Sequence, residues 1–93
     1  MITVAKVTKT CGACPAQWEG QTNDGRFVYA RYRWGYLCIG LGDSLGAAIA
    51  AEGGIIFEWE NPDHWHGFME YEELVHLTKD AILWPDFEEL SLV

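Results

Sequence analysis

Gln17–Leu41 reads QWEGQTNDGRFVYARYRWGYLCIGL. Asp24-Gly25 is a hairpin signal, because tight hairpin turns need positive φ and glycine adopts it without a Cβ clash. On one side Ala16–Thr22 has strand character, and on the other Arg26–Trp34 does. Gly35 marks a second tight turn, after which Tyr36–Leu41 forms a further strand. Period two then divides Arg26–Trp34 into two faces. Phe27, Tyr29, Arg31 and Arg33 share one, and Val28, Ala30, Tyr32 and Trp34 share the other, which reads as the core side.

Working outward, Ile2–Thr8 is rich in β-branched residues and reads as a strand, stopped by a turn over Thr10–Pro15. Asp43 or Ser44 can cap a short helix, LGAAIAAE, which Gly53 and Gly54 would end. Ile55–Glu60 alternates as a half-buried strand, with Ile55, Phe57 and Trp59 on one side and Ile56, Glu58 and Glu60 on the other. Asn61-Pro62-Asp63 turns the chain. Tyr71–Lys79 is a helix whose Leu74, Leu77 and Thr78 share a face, with acids in its first turn and Lys79 near its end. Asp86 and Glu89 have capping-box spacing. The expected architecture is α+β in a single domain over residues 1–93. It has an antiparallel sheet of about five strands, with a β-meander at residues 16–41 and one or two short helices packed on one face.

The chain has 93 residues and a net charge of −8, unevenly spread. Residues 1–42 carry five basic and two acidic side chains; residues 43–93 carry one basic and twelve acidic. An acidic chain disfavours direct nucleic-acid binding and adhesion to anionic membranes. No apolar run is long enough to span a bilayer, and no start resembles a signal peptide. Three cysteines argue against a disulfide framework, so a cytoplasmic location is expected. Five Trp, four Tyr and four Phe are many rings for so small an interior. That excess points to a homo-oligomer, with a twofold homodimer as the default.

Three groups of residues carry candidate chemistry. Arg31 and Arg33, with Tyr29 and Phe27 and helped by Arg26 and Trp18, would make a surface for a small anionic ligand or an acidic patch of a protein. Guanidinium forks match phosphate and carboxylate, and aromatic rings stack on planar groups. The competing reading pairs these arginines with the chain's own Glu19, Glu58 and Glu60. Cys11 and Cys14 have the CxxC spacing that lets one turn hold zinc, and with His64 and His66 they would make a Cys2His2 structural site. The alternative is two incidental turn cysteines. Pro15 and a following strand disfavour redox use of the pair. Cys38 reads as a small core residue. Third, Glu70, Glu72, Glu73, Asp80, Asp86, Glu88 and Glu89 form an acidic series, either a solvated surface or a decoy of nucleic acid for a basic groove. No nucleophile motif, P-loop or dinucleotide fingerprint is visible, so binding without catalysis is the expected mode.

The string CPxQWEG…DGRxxYxRYRWGxL, Cys14–Leu37 here, resembles small proteins of bacteriophages and prophages. A looser similarity covers GFMEYEEL at Gly67–Leu74. The resemblance carries no catalytic residue, cofactor or ligand to particular positions. It implies a setting: a small accessory protein of viral origin that inhibits a host protein, such as one used in defence, or sequesters a small ligand.

Overall fold

The computed structural model describes residues 1–12, 16–63, 68–85 and 90–92. Its strands are β1 (Ile2–Gly12), β2 (Ala16–Thr22), β3 (Phe27–Arg33), β4 (Tyr36–Gly42), β5 (Ile55–Glu60), β6 (Ile82–Leu83) and β7 (Leu90–Leu92). Two short helices, α1 (Leu45–Ile49) and α2 (Tyr71–Leu77), complete the described elements. The strands lie in the order β5-β4-β3-β2-β1-β6, and β7 also pairs with β1. From β1 to β5 every neighbouring pair is antiparallel. β6 and β7 run parallel to β1.

The α+β reading therefore holds, but the sheet is mixed and wider than expected. The two added strands have two and three residues, too few for a periodic signal. β1 is longer than expected as well. Thr10, Cys11 and Gly12 continue the strand, with a register shift between Lys9 and Cys11, instead of turning.

One face of the sheet is the core. Val4, Val7, Trp18, Val28, Ala30, Tyr32, Leu37 and Ile39 are buried there with Met69, Tyr71, Leu74, Ile82 and Trp84. Tyr32 stacks on Trp59, with ring centroids 6.4 Å apart. The Glu73 side chain accepts the Glu70 N–H at 3.3 Å, in a capping box that starts α2. Asp86 and Glu89, whose spacing suggested such a box, lie outside the described residues.

The helices do not share one face. α2 buries Tyr71 and Leu74 in the core. α1 instead sits on the opposite face, above Gly40 and Gly42. A Cβ on Gly40 would come 2.4 Å from the Ala48 carbonyl oxygen, and one on Gly42 would come 2.4 Å from the Ala47 carbonyl carbon. Only glycine allows so close an approach of helix to strand. Ser44 caps α1, its Oγ accepting the Ala47 N–H at 3.1 Å. The helix stops short of Gly53 and Gly54. Ala51 takes a left-handed φ of 54°, while Glu52 N–H bonds to Ala47 O and Ala51 N–H to Ala48 O, as in a Schellman cap.

Thr78 ties α2 to the segment that follows. Its hydroxyl donates to Leu74 O at 2.8 Å and accepts the Trp84 indole N–H at 2.7 Å, with both residues buried. Thr78→Val keeps the shape but leaves the indole N–H without an acceptor. The expected cost is about 1–3 kcal/mol. Thermal unfolding should register it at about 4–8 °C per kcal/mol for a domain of this size.

At the β2–β3 hairpin, Gly25 has φ +88°. Thr22 Oγ1 accepts the Arg26 N–H at 2.8 Å and donates to Asp24. Arg26 Nη2 lies 2.9 Å from Asp24 Oδ2. The Arg26 hydrogen bond, aided by that from Thr22, lowers the Asp24 pKa to about 2. A carboxyl depressed on folding stabilises the fold above its unfolded value of 3.8, and loses that contribution as pH falls towards 2. Asp24→Asn should therefore flatten the acid limb of the stability profile between these pH values. Both groups are exposed, so the effect is small. Urea titrations at stepped pH would measure it.

Candidate functional site

The face opposite the core carries the arginines. Tyr29, Arg31 and Arg33 alternate on β3 with buried Val28, Ala30 and Tyr32. The neighbouring strand sets Gly40 opposite Tyr29, Cys38 opposite Arg31 and Tyr36 opposite Arg33. α1, seated on the glycines of β4, raises a wall beside this face. The result is a groove of about 570 Å³, lined from β3 by Tyr29, Arg31 and Arg33 and from the turn by Trp34. Tyr36, Cys38 and Gly40 of β4 and Ala48, Ile49 and Ala51 of the α1 segment complete it.

The structure changes the membership of the proposed site. Trp18 is fully buried in the core, since period two on β2 points it away from the arginines, and it cannot touch a ligand. Arg26 is tied to Asp24 at the hairpin and borders a separate hollow with Asp43, Ser44 and Glu52. Phe27 is half-buried and lines another hollow with Lys6, Thr8, Glu19 and Leu45. It shares the face of Arg31 but lies at the other end of the strand.

Two residues assigned to the core belong to the groove. Cys38 is partly exposed among the groove residues, because its parity on β4 matches Tyr36 and Gly40. Trp34 is half exposed and has φ 53°, followed by Gly35 at φ 76°. Positive φ at both central residues is the type I′ hairpin turn, which takes the side chain out of the β3 alternation. A bulky residue in that conformation costs about 1–3 kcal/mol, and such strain concentrates at functional positions. Ile55 also changes sides. A register shift sets Phe57 opposite Ile39 but Ile55 opposite Gly40, so Ile55 lies on the groove face, half exposed, and leaves the row of Phe57 and Trp59.

The electrostatics depart from the internal-pairing reading. Among the described residues, neither Arg31 nor Arg33 forms an ion pair; the Asp24–Arg26 bridge is at the hairpin. Glu58 is engaged elsewhere, accepting the Tyr36 hydroxyl at 2.9 Å. That hydrogen bond, with Cys38 beside it, raises the Tyr36 phenol well above its ordinary pKa, so Tyr36 stays a donor. Glu19 sits on the neighbouring β2, opposite Tyr29 and not an arginine, and Glu60 sits opposite Tyr36 on β5, two strands from Arg33.

The proposed zinc ligands Cys14, His64 and His66 lie outside the described residues. Cys11 is described only in its backbone, opposite Gln17. No metal-binding cluster of His, Cys, Asp and Glu occurs among the described residues. In the acidic series, Glu70, Glu72, Glu73 and Asp80 are exposed, with Glu70 and Glu73 also serving the start of α2. No helix is long and apolar enough to cross a membrane. Comparison of the chain with protein-family models, curated proteins and solved structures gives no match.

Proposed function

We propose that the protein acts by binding without catalysis, and that the groove beside α1 receives a small anionic ligand. One observation carries this reading. Arg31 and Arg33 are exposed in a concave, aromatic-rimmed site with no carboxylate paired to them among the described residues. The chain has 14 acidic and 6 basic side chains, so intramolecular partners are in ample supply. Two guanidiniums left without them suit an external anion. The resemblance to phage accessory proteins supplies a setting: sequestration of a small ligand in the host cytoplasm.

A second reading has one observation in its favour. Ile49 of the groove lining and Ile55, opposite Gly40 on β5, are each about half exposed and would suit a host protein whose acidic residue enters the groove. Native mass spectrometry of protein purified from cells separates the two. The expected result is a small-ligand mass increment on each chain that disappears in Arg31→Ala/Arg33→Ala. Retention of a protein partner with no small ligand would overturn the first reading. The same spectrum counts subunits, for which the expectation is two, and detects bound zinc.

A further inference from the structure

We propose that the ligand of the groove is a nucleoside monophosphate, its phosphate bridging Arg31 and Arg33 and its base lying on the rim formed by Trp34 and Tyr36. The inference rests on the groove being an anion site and names the chemistry of the anion.

The cation spacing favours phosphate over carboxylate. Arg31 and Arg33 are alternate residues of β3, roughly 6.5–7 Å apart along the strand. A carboxylate offers one edge of two oxygens, which a single guanidinium fork satisfies. A phosphate monoester has three terminal oxygens and presents more than one edge. It can take N–H···O bonds of about 2.8 Å from two forks approaching along one strand. Tyr29 adds a phenol to the lining on the same strand.

The rim favours a planar substituent. Trp34 is 50% exposed and Tyr36 is 38% exposed, both lining the groove. The first central position of a type I′ turn is most readily filled by Asn, Asp or Gly. Here it holds tryptophan at φ 53°. A large ring kept at that conformational cost beside two guanidiniums matches the combination of stacking platform and cations that receives nucleotide bases. Where the α1 wall meets β4 the lining is small, since Gly40 has no side chain and Ala48 and Ala51 have short ones.

Size and charge argue for a monomer. A volume of 570 Å³ lies within the range of about 300–1,000 Å³ usual for small-molecule sites. A polynucleotide needs a row of phosphate contacts, and a chain of net charge −8 repels the rest of its backbone.

Isothermal titration calorimetry at low salt tests the proposal. The probes are AMP, GMP, CMP and UMP, the parent nucleosides, inorganic phosphate and a short oligoglutamate peptide. At least one monophosphate should bind at least tenfold more tightly than both its nucleoside and inorganic phosphate. Trp34→Asn keeps a residue suited to the turn, and should bring that nucleotide down to the affinity of inorganic phosphate. Arg31→Ala/Arg33→Ala should remove both. Equal binding of nucleotide and inorganic phosphate would overturn the nucleotide assignment and leave the anion site standing. So would arginine-dependent binding of the peptide alone. Binding of none of the probes would sink the anion site as well.

Discussion

Arg31→Ala/Arg33→Ala is expected to unfold within a few degrees of the wild type and to bind its anion about 10²- to 10⁴-fold more weakly. The two halves of this expectation have separate origins. Both side chains are exposed, and neither has an ion pair among the described residues. Exposed substitutions of this kind usually change stability by no more than about 0.5 kcal/mol. Buried Val28, Ala30 and Tyr32, which hold β3 in the sheet, are untouched. Affinity is another matter. A hydrogen bond to a charged group contributes about 1.5–3 kcal/mol, and both guanidiniums are removed. At about 1.4 kcal/mol per tenfold, the lower bound for two contacts already exceeds two decades. Thermal unfolding and titration of the same preparations would check both halves. A large drop in melting temperature would mean that the arginines serve the fold. Binding that survives would move the anion elsewhere.

The groove keeps its positive character because of where its acids are held. Along one register row β3, β4 and β5 present Arg31, Cys38 and Glu58. Glu58 is the carboxylate in line with Arg31, two strands away, and the Tyr36 hydroxyl occupies it. Asp24 is occupied in the same way by Arg26 and Thr22 at the far hairpin. Hydrogen bonds thus give Glu58 and Asp24 other partners than Arg31 and Arg33, alongside the sequence segregation of charge.

Much of this is legible in the sequence. The β2–β3 hairpin follows from Asp24-Gly25, and period two correctly places Tyr29, Arg31 and Arg33 together with Phe27 on one face. What escaped is whatever depends on leaving the pleat. Trp34 continues the core parity of Tyr32 only if the strand continues, and the turn begins there. Ile55 continues the row of Phe57 only without the register shift. Arg26 and Phe27 are close to Arg31 in sequence, yet at about 3.3 Å per residue they lie about 13–17 Å along the strand from it. The choice of face for α1 has a sequence signal, though a weak one. Gly40 and Gly42 alternate on a strand, leaving a strip without side chains, and Ala47 and Ala48 lie above it. The start of α2 at Tyr71 is legible from its acidic first turn, although glutamate is not among the preferred N-cap residues; its end comes earlier than Lys79, at Leu77.

That strip supplies the most sensitive point of the site. Gly40→Ala is expected to destabilise the protein by about 1–3 kcal/mol, the usual range for overpacking. Its new methyl carbon would fall 2.4 Å from the Ala48 carbonyl oxygen and 3.1 Å from the Ala51 Cβ. The first contact is with backbone, so no rotamer change relieves it and α1 itself must lift. At about 4–8 °C per kcal/mol, the melting temperature should fall by several degrees or more. Because Ala48, Ile49 and Ala51 form the groove wall, ligand affinity should fall together with stability. This coupled loss distinguishes Gly40→Ala from Arg31→Ala/Arg33→Ala, where affinity falls alone. Gly46→Ala provides the control within the same helix. No atom lies within 4 Å of a Cβ built there, so the added methyl meets open space. Its expected effect has the opposite sign, a gain of about 0.4–1 kcal/mol from a less flexible unfolded chain and better helix propensity. If both substitutions leave the melting temperature unchanged, α1 is not seated on β4 and the groove has no wall. If Gly40→Ala alone lowers it, the close approach of helix to strand is what shapes the binding site.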